Sequence, residues 1–112
     1  MSAPLYQVKA ELFRTLGHPV RIRVLELLQD GPKPVRTLLA EIEVEASNLS
    51  QQLAVLRRAG LVRSSRDGAL VVYALSSADV AELLAAARRI LTAMLTDRDG
   101  LLQQLQVDGH AG

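Results

Sequence analysis

The sequence predicts a mostly helical domain with one small β-hairpin, on three observations. Apolar residues recur every three or four positions through most of the chain, which is the spacing of helices that bury one side. A stretch near the middle instead holds two β-prone runs around an Asp-Gly pair, a strong signal for a hairpin turn. Aromatic residues are only 3% of the composition, so the core must consist of aliphatic side chains, which suits packed helices.

The length of 112 residues corresponds to one domain. Hydrophobic residues make up 49% and charged residues 22%, a balance typical of a folded chain rather than a disordered one. Without an internal repeat or a long linker, we expect a single domain over residues 1–107. The polar segment 108–112 is expected to be a flexible tail.

The apolar spacing predicts five helices. The second begins at Pro19, because proline is favoured in the first turn, and Pro34 opens a short third helix. The fourth runs from about Ala46 to Ala59 and ends at Gly60 as a left-handed cap. The apolar positions that share one face of each of the first four helices are Leu5, Val8, Leu12 and Leu16; Val20, Val24, Leu27 and Leu28; Val35, Leu38, Leu39 and Ile42; and Ala46, Leu49, Leu53 and Leu56. In the second and third helices this face is expected to be buried.

The hairpin is predicted from residues 61–66 and 70–75, which flank Asp67 and Gly68. A long fifth helix follows, with an apolar face from Val80 to Leu95, and Gly100 is expected to break it. The third and fourth helices are joined by a turn of three to four residues, which is helix-turn-helix spacing. Because a hairpin follows directly, the expected fold is a winged helix-turn-helix.

The outer side of the fourth helix is rich in neutral hydrogen-bonding side chains, where surface helices usually carry Glu and Lys. Such groups are able to bond base edges in a DNA major groove, and Asn and Gln suit adenine. Arg57 follows at a position suited to phosphates, and Arg66 lies beside the hairpin tip, where a wing touches DNA. The candidate base-contacting residues are Ser47, Asn48, Ser50, Gln51 and Gln52.

The charge distribution supports this hypothesis. The chain has a formal net charge of +1, but residues 46–75 alone contain four arginines and a single acidic residue. Residues 1–45 are balanced and residues 76–112 are acidic. A basic surplus beside the polar helix is expected of a site for a polyanion, although an ordinary solvated face is the plainer alternative.

Several function classes are disfavoured. The chain has no cysteine, which excludes disulfides, thiolate catalysis and sulfur-ligated metals. Neither a nucleophile elbow nor a phosphate-binding glycine loop is present, so we do not expect an enzyme. We find no signal-peptide core and no apolar run long enough for a membrane span, which predicts a cytoplasmic protein. A dimeric protein-interaction module that uses the fifth helix and does not bind DNA remains the alternative.

Much of the chain, residues 5–95, resembles the ArsR/SmtB family of winged-helix repressors. The similarity is carried by Lys9–Arg14, Leu16–Leu28, Leu49–Val62 and the hairpin Arg66–Leu75. It implies a homodimer formed through the first and last long helices. It also implies operator binding that a small effector weakens or modifies, and the identity of this effector does not follow from the sequence. We expect the homodimer to act as a repressor on a palindromic operator.

Some family features are missing. The turn and the cap of the fourth helix hold Glu43 and Glu45, where the family often has Gly and Ser or Thr. Positions of the family's thiol site hold Pro34, Arg36 and Thr37, so sensing of arsenite, cadmium or lead through thiolates is excluded. At the family's other metal site, Asp79 is the one potential ligand among the aligned positions Ser77, Asp79, Ile90 and Ala93.

Two histidines leave one further alternative open. His18 precedes Pro19 at a helix start, where its simplest role is local capping, and His110 lies in the tail. No resident cofactor is expected. A nickel- or zinc-responsive regulator of the same fold, with nitrogen and oxygen ligands contributed across a dimer, is nevertheless compatible with these residues.

Overall fold

The computed structural model describes residues 3–96 and 104–106. Within them lie five α-helices and a small antiparallel sheet, and residues 104–106 are also helical. The break predicted at Gly100 and the tail predicted at residues 108–112 fall outside the described residues. The elements, in chain order, are α1 (Leu5–Leu16), α2 (Pro19–Leu27) with a 3-10 turn (Leu28–Asp30), β1 (Lys33–Pro34), α3 (Val35–Glu41), α4 (Ala46–Arg58), β2 (Val62–Asp67), β3 (Leu70–Leu75) and α5 (Ala78–Leu95).

The chain divides into two compact units, residues 1–81 and 82–112, with the boundary inside α5. The first unit contains the helix-turn-helix and the hairpin, and the second contains most of α5. No helix among residues 3–96 and 104–106 has both the length and the apolar character required to cross a membrane.

The core of the first unit is built from α2, α3 and α4. Leu49, Leu53 and Leu56 of α4 are buried, as predicted, and pack in the same core as Val24 and Leu25 of α2. Burial of each leucine is worth about 1.5–3 kcal/mol relative to leaving it in water, so this packing fixes one side of α4. Leu25 is buried where Leu27 was predicted, and Leu27 is half-buried. Val24 and Leu25 lie four and three residues before buried Leu28, so helical spacing places all three on one face.

A glycine ends α4 in the predicted way. Gly60 has φ of 79°, the left-handed region, and its N–H donates to the carbonyl of Arg57. The N–H of Leu61 donates to the carbonyl of Leu56, which completes a Schellman motif. Leu61 is itself buried, so the chain leaves the helix in a fixed direction toward β2.

The sheet has three strands in the order β1-β3-β2. Strand β1 was not predicted, because two residues are too short to show an alternating pattern. Lys33 lies opposite Tyr73, and Pro34 opposite Val72, so Pro34 belongs to an edge strand and also precedes α3. This pairing attaches the β2–β3 hairpin, hereafter the wing, to the start of α3.

The wing turn lies one residue later than predicted. Asp67 pairs with Leu70 as part of the ladder, so the two loop residues are Gly68 and Ala69. Gly68 has φ of 62°, and a glycine at this first loop position is what a type II′ hairpin requires. The strands are consequently in register from Val62 to the tip.

Candidate nucleic-acid interface

The N-terminal half of α4 exposes a polar surface. Ser47, Ser50 and Gln51 are exposed, as predicted, on the side opposite the buried leucines. Asn48 is half-buried at the edge of this surface. Because the leucines are locked in the core, the surface has a fixed orientation in the first unit.

The prediction that Gln52 lies on this outer face is wrong. Its side chain is only 8% exposed and lies on the leucine side of the helix. Gln52 stands three residues after Leu49 and four before Leu56, a spacing that keeps all three on one helix face. The spacing of Gln52 from the leucines therefore predicts burial, whereas its polarity predicts exposure, and the spacing is the correct guide here.

Arg21 explains how a glutamine is accommodated there. Its Nε–H donates to Oε1 of Gln52 at 2.8 Å, and Nη1 donates to the carbonyl of Thr15 at 3.0 Å. Gln52 in turn donates through Nε2 to Oδ1 of Asn48 at 2.9 Å. The helical spacing of α2 predicts that Arg21 points outward from the core. This prediction is wrong, because the bonds draw its half-buried side chain toward α4.

The wing is tied to the C-terminal end of α4. The hydroxyl of Ser76 donates to the carbonyl of Gly60 at 2.6 Å, and the N–H of Ser76 donates to the carbonyl of Leu61 at 3.0 Å. These bonds join the base of the wing to the helix cap. Arg66 lies near the wing tip and is exposed.

Four arginines give this side of the molecule its positive charge. Arg57 and Arg58 end α4, and Arg63 and Arg66 lie on β2; all are exposed. The ion pairs found within residues 3–96 and 104–106 involve other arginines, Arg14 and Arg23. Arg57, Arg58, Arg63 and Arg66 therefore form no ion pair with an acidic side chain among the described residues, and their guanidinium groups are suited to bind phosphate oxygens.

The start of α4 lacks a side-chain cap. Glu45 occupies the N-cap position in an extended conformation, but its carboxylate accepts no capping hydrogen bond. The longer glutamate side chain is not among the favoured N-cap residues, whereas aspartate is. Its charge still interacts favourably with the helix dipole.

His18 has the local role that its position suggested. It is the N-cap of α2, and its Nδ1 accepts from the N–H of Val20 at 3.2 Å. No group of three potential metal ligands is found within residues 3–96 and 104–106. His110 lies outside them, so the hypothesis of a nickel or zinc site stays a prediction.

Comparison with known proteins identifies the class. Residues 16–65 match a family model described as a helix-turn-helix domain. The chain is 51% identical over 111 residues to the uncharacterized HTH-type transcriptional regulator Rv0081 of Mycobacterium tuberculosis, covering 98% of this chain and 97% of that protein. It is also 38% identical over 84 residues to a biofilm growth-associated repressor of Xylella fastidiosa, covering 75% and 74% respectively.

Solved structures of related regulators have the same fold as this chain. The crystal structure of Rv0081 superposes with a TM-score of 0.80 at 54% identity, over 87% of this chain and 98% of that one. A Mycobacterium bovis domain, described as a homodimeric winged helix-turn-helix DNA-binding domain of a possible ArsR-family regulator, gives 0.75 at 26% identity, over 84% and 87%.

The fold and the relatives define a winged helix-turn-helix transcriptional regulator, which binds DNA and is not an enzyme. The chain belongs to the ArsR/SmtB family, as its sequence motifs suggested.

The uncapped start of α4 yields a stability prediction. Replacing Glu45 with aspartate keeps the charge but shortens the side chain to one that suits N-cap bonding. We expect Glu45→Asp to raise the free energy of unfolding by about 0.5–1 kcal/mol, measured by urea denaturation. Glu43→Asp is the matched control, because Glu43 precedes the cap and should gain nothing; an equal gain in both variants would contradict the capping explanation.

Proposed function

We propose that this regulator is a cytoplasmic repressor that binds a palindromic operator as a homodimer. Each subunit inserts the N-terminal half of α4 into a major groove, and the two half-sites lie about one helical turn apart. Occupation of a site near a promoter blocks transcription.

The observation that carries this proposal is the surface of α4. Ser47, Ser50 and Gln51 are exposed on a helix whose opposite side is locked by leucines. A rigid helix with short polar side chains is suited to base edges, whereas flexible charged side chains would favour sequence-independent contacts. Arg57 and Arg66 are uncommitted to acidic groups of the described chain and flank this surface, where phosphates would lie.

The dimer is supported by apolar surface in each unit. In the first unit, α1 exposes Leu5, Tyr6, Val8 and Phe13, which are between 52% and 71% exposed. In the second unit, α5 exposes Ile90, Leu91 and Met94 at 45% to 65%. Large exposed apolar patches typically mark protein interfaces, and the related M. bovis domain is described as homodimeric.

Selection from a random duplex pool, followed by gel shifts in graded salt, tests the proposal. The full chain should enrich a palindrome and lose affinity steeply as salt rises, because bound phosphates release counterions. If the full chain retains no duplex at low salt, the proposal is refuted, and the alternative of an interaction module that does not bind DNA is favoured.

Gln51 should carry base discrimination. We expect Gln51→Ala to weaken binding to the selected operator by about 1–3 kcal/mol and to relax preference at one base pair in each half-site. Affinity for a scrambled duplex should change little, which separates lost readout from misfolding. Unchanged operator affinity would show that the reading surface lies elsewhere.

Arg66 should act without regard to sequence. Arg66→Ala is expected to weaken operator and scrambled duplex alike and to reduce the slope of log K against log salt by about one. Arg88→Ala, which removes an exposed arginine of α5 and leaves α4 and the wing unchanged, is the control for a change in net charge alone. A loss confined to the operator would assign Arg66 to base readout instead.

The dimer is tested by charge in its expected interface. Phe13→Glu should convert a species of twice the chain mass to one of single mass in sedimentation equilibrium, because a buried unpaired carboxylate is costly. Val71→Glu is the matched control, since Val71 is also an exposed apolar residue but lies on the wing. A wild-type protein of single mass at micromolar concentration would exclude the proposed dimer.

A further inference from the structure

Three hydrogen-bonding side chains form a line from α2 to the polar surface of α4. The guanidinium of Arg21 donates to Oε1 of Gln52, and Nε2 of Gln52 donates to Oδ1 of Asn48. The carbonyl of Thr15, in the last turn of α1, holds a second nitrogen of Arg21 at 3.0 Å. We call Arg21, Gln52 and Asn48 the amide relay.

The direction of the relay is fixed by chemistry. A guanidinium has only donors, so Gln52 must turn its oxygen toward Arg21. The NH₂ group of Gln52 then faces Asn48, which must present its own oxygen in return. At 8% exposure Gln52 has little water to replace a lost partner, and an unpaired buried amide group is unfavourable.

The group left over is the NH₂ of Asn48. It donates to no protein group among the described residues. No buried side-chain nitrogen or oxygen in that part of the chain lacks a partner. The nitrogen of half-buried Asn48 is therefore open to solvent, at the edge of the surface formed by Ser47 and Gln51.

We propose that Gln52 is a positioning residue that makes Asn48 a hydrogen-bond donor toward DNA. Asn48 then selects a base edge with an acceptor, such as N7 or O6 of guanine or O4 of thymine, and disfavours an amino group such as N4 of cytosine. This rests on the proposed function, in which α4 enters the major groove. Gln52 thereby influences sequence preference without touching a base.

Reversing the relay tests the proposal. In Gln52→Glu the carboxylate still accepts from Arg21 but has nothing to donate to Asn48. The amide of Asn48 should turn over, bond the glutamate through its NH₂ and present its oxygen outward. The test is selection from a random duplex pool. At one base pair per half-site, the preferred base should change from one that presents an acceptor to one that presents an amino group. The relative enrichment of the two bases should change by about three- to tenfold.

Asn48→Ala supplies the matched control. It should abolish the preference at that base pair in both the wild-type and the Gln52→Glu background. Two results would overturn the proposal: a Gln52→Glu profile identical to that of the wild type, or a preference that survives Asn48→Ala. Failure of the wild-type chain to enrich any sequence is a different outcome, because it refutes the proposed function before any variant is compared.

If circular dichroism shows that Gln52→Glu does not fold, Asn48→Asp decides the question. Asn48 lies in the first turn of α4, where a carboxylate suits the helix dipole. The aspartate accepts from Gln52 and presents a second oxygen outward, so the same move to an amino edge is expected. An unchanged preference would overturn the proposal.

Discussion

The packing of the leucine side of α4 against the core is the constraint on which the rest of the structure depends. Leu49, Leu53 and Leu56 are almost completely buried, so the rotation of the helix about its axis is determined. The Schellman motif at Gly60 then fixes where the chain leaves the helix and enters the wing. One apolar stripe therefore orients both parts of the molecule that are proposed to meet DNA.

The hydrogen bond between Arg21 and Gln52 determines how the amide groups at the edge of this packed face are oriented. The buried leucines alone would fix the position of the helix, but they would not determine the side-chain conformation of polar residues such as Asn48. Gln52, buried within the stripe, connects Asn48 to a guanidinium that is itself held by the end of α1. Leucine packing thus sets the position of the polar surface, and the amide relay sets its donor pattern.

The helices, the wing, the start of α2 at Pro19 and the end of α4 at Gly60 could be predicted because each depends on local spacing or on one residue's backbone preference. Strand β1 could not, since a two-residue strand leaves no periodicity. The polarity of Gln52 wrongly predicted exposure, because Arg21 and Asn48 satisfy its amide group within the core-facing side of α4. Arg21 was misplaced because its partner is 31 residues away, beyond any local pattern.

The most direct measurement of the central claim is the NMR signal of side-chain amides as a selected duplex is added. The NH₂ resonances of Gln51 and Asn48 should shift strongly on binding, since both lie on the surface proposed to enter the groove. Gln29, exposed after α2 and bonded to the carbonyl of Ala81, should shift little. A complex that forms while Gln51 and Asn48 remain unshifted would contradict the account.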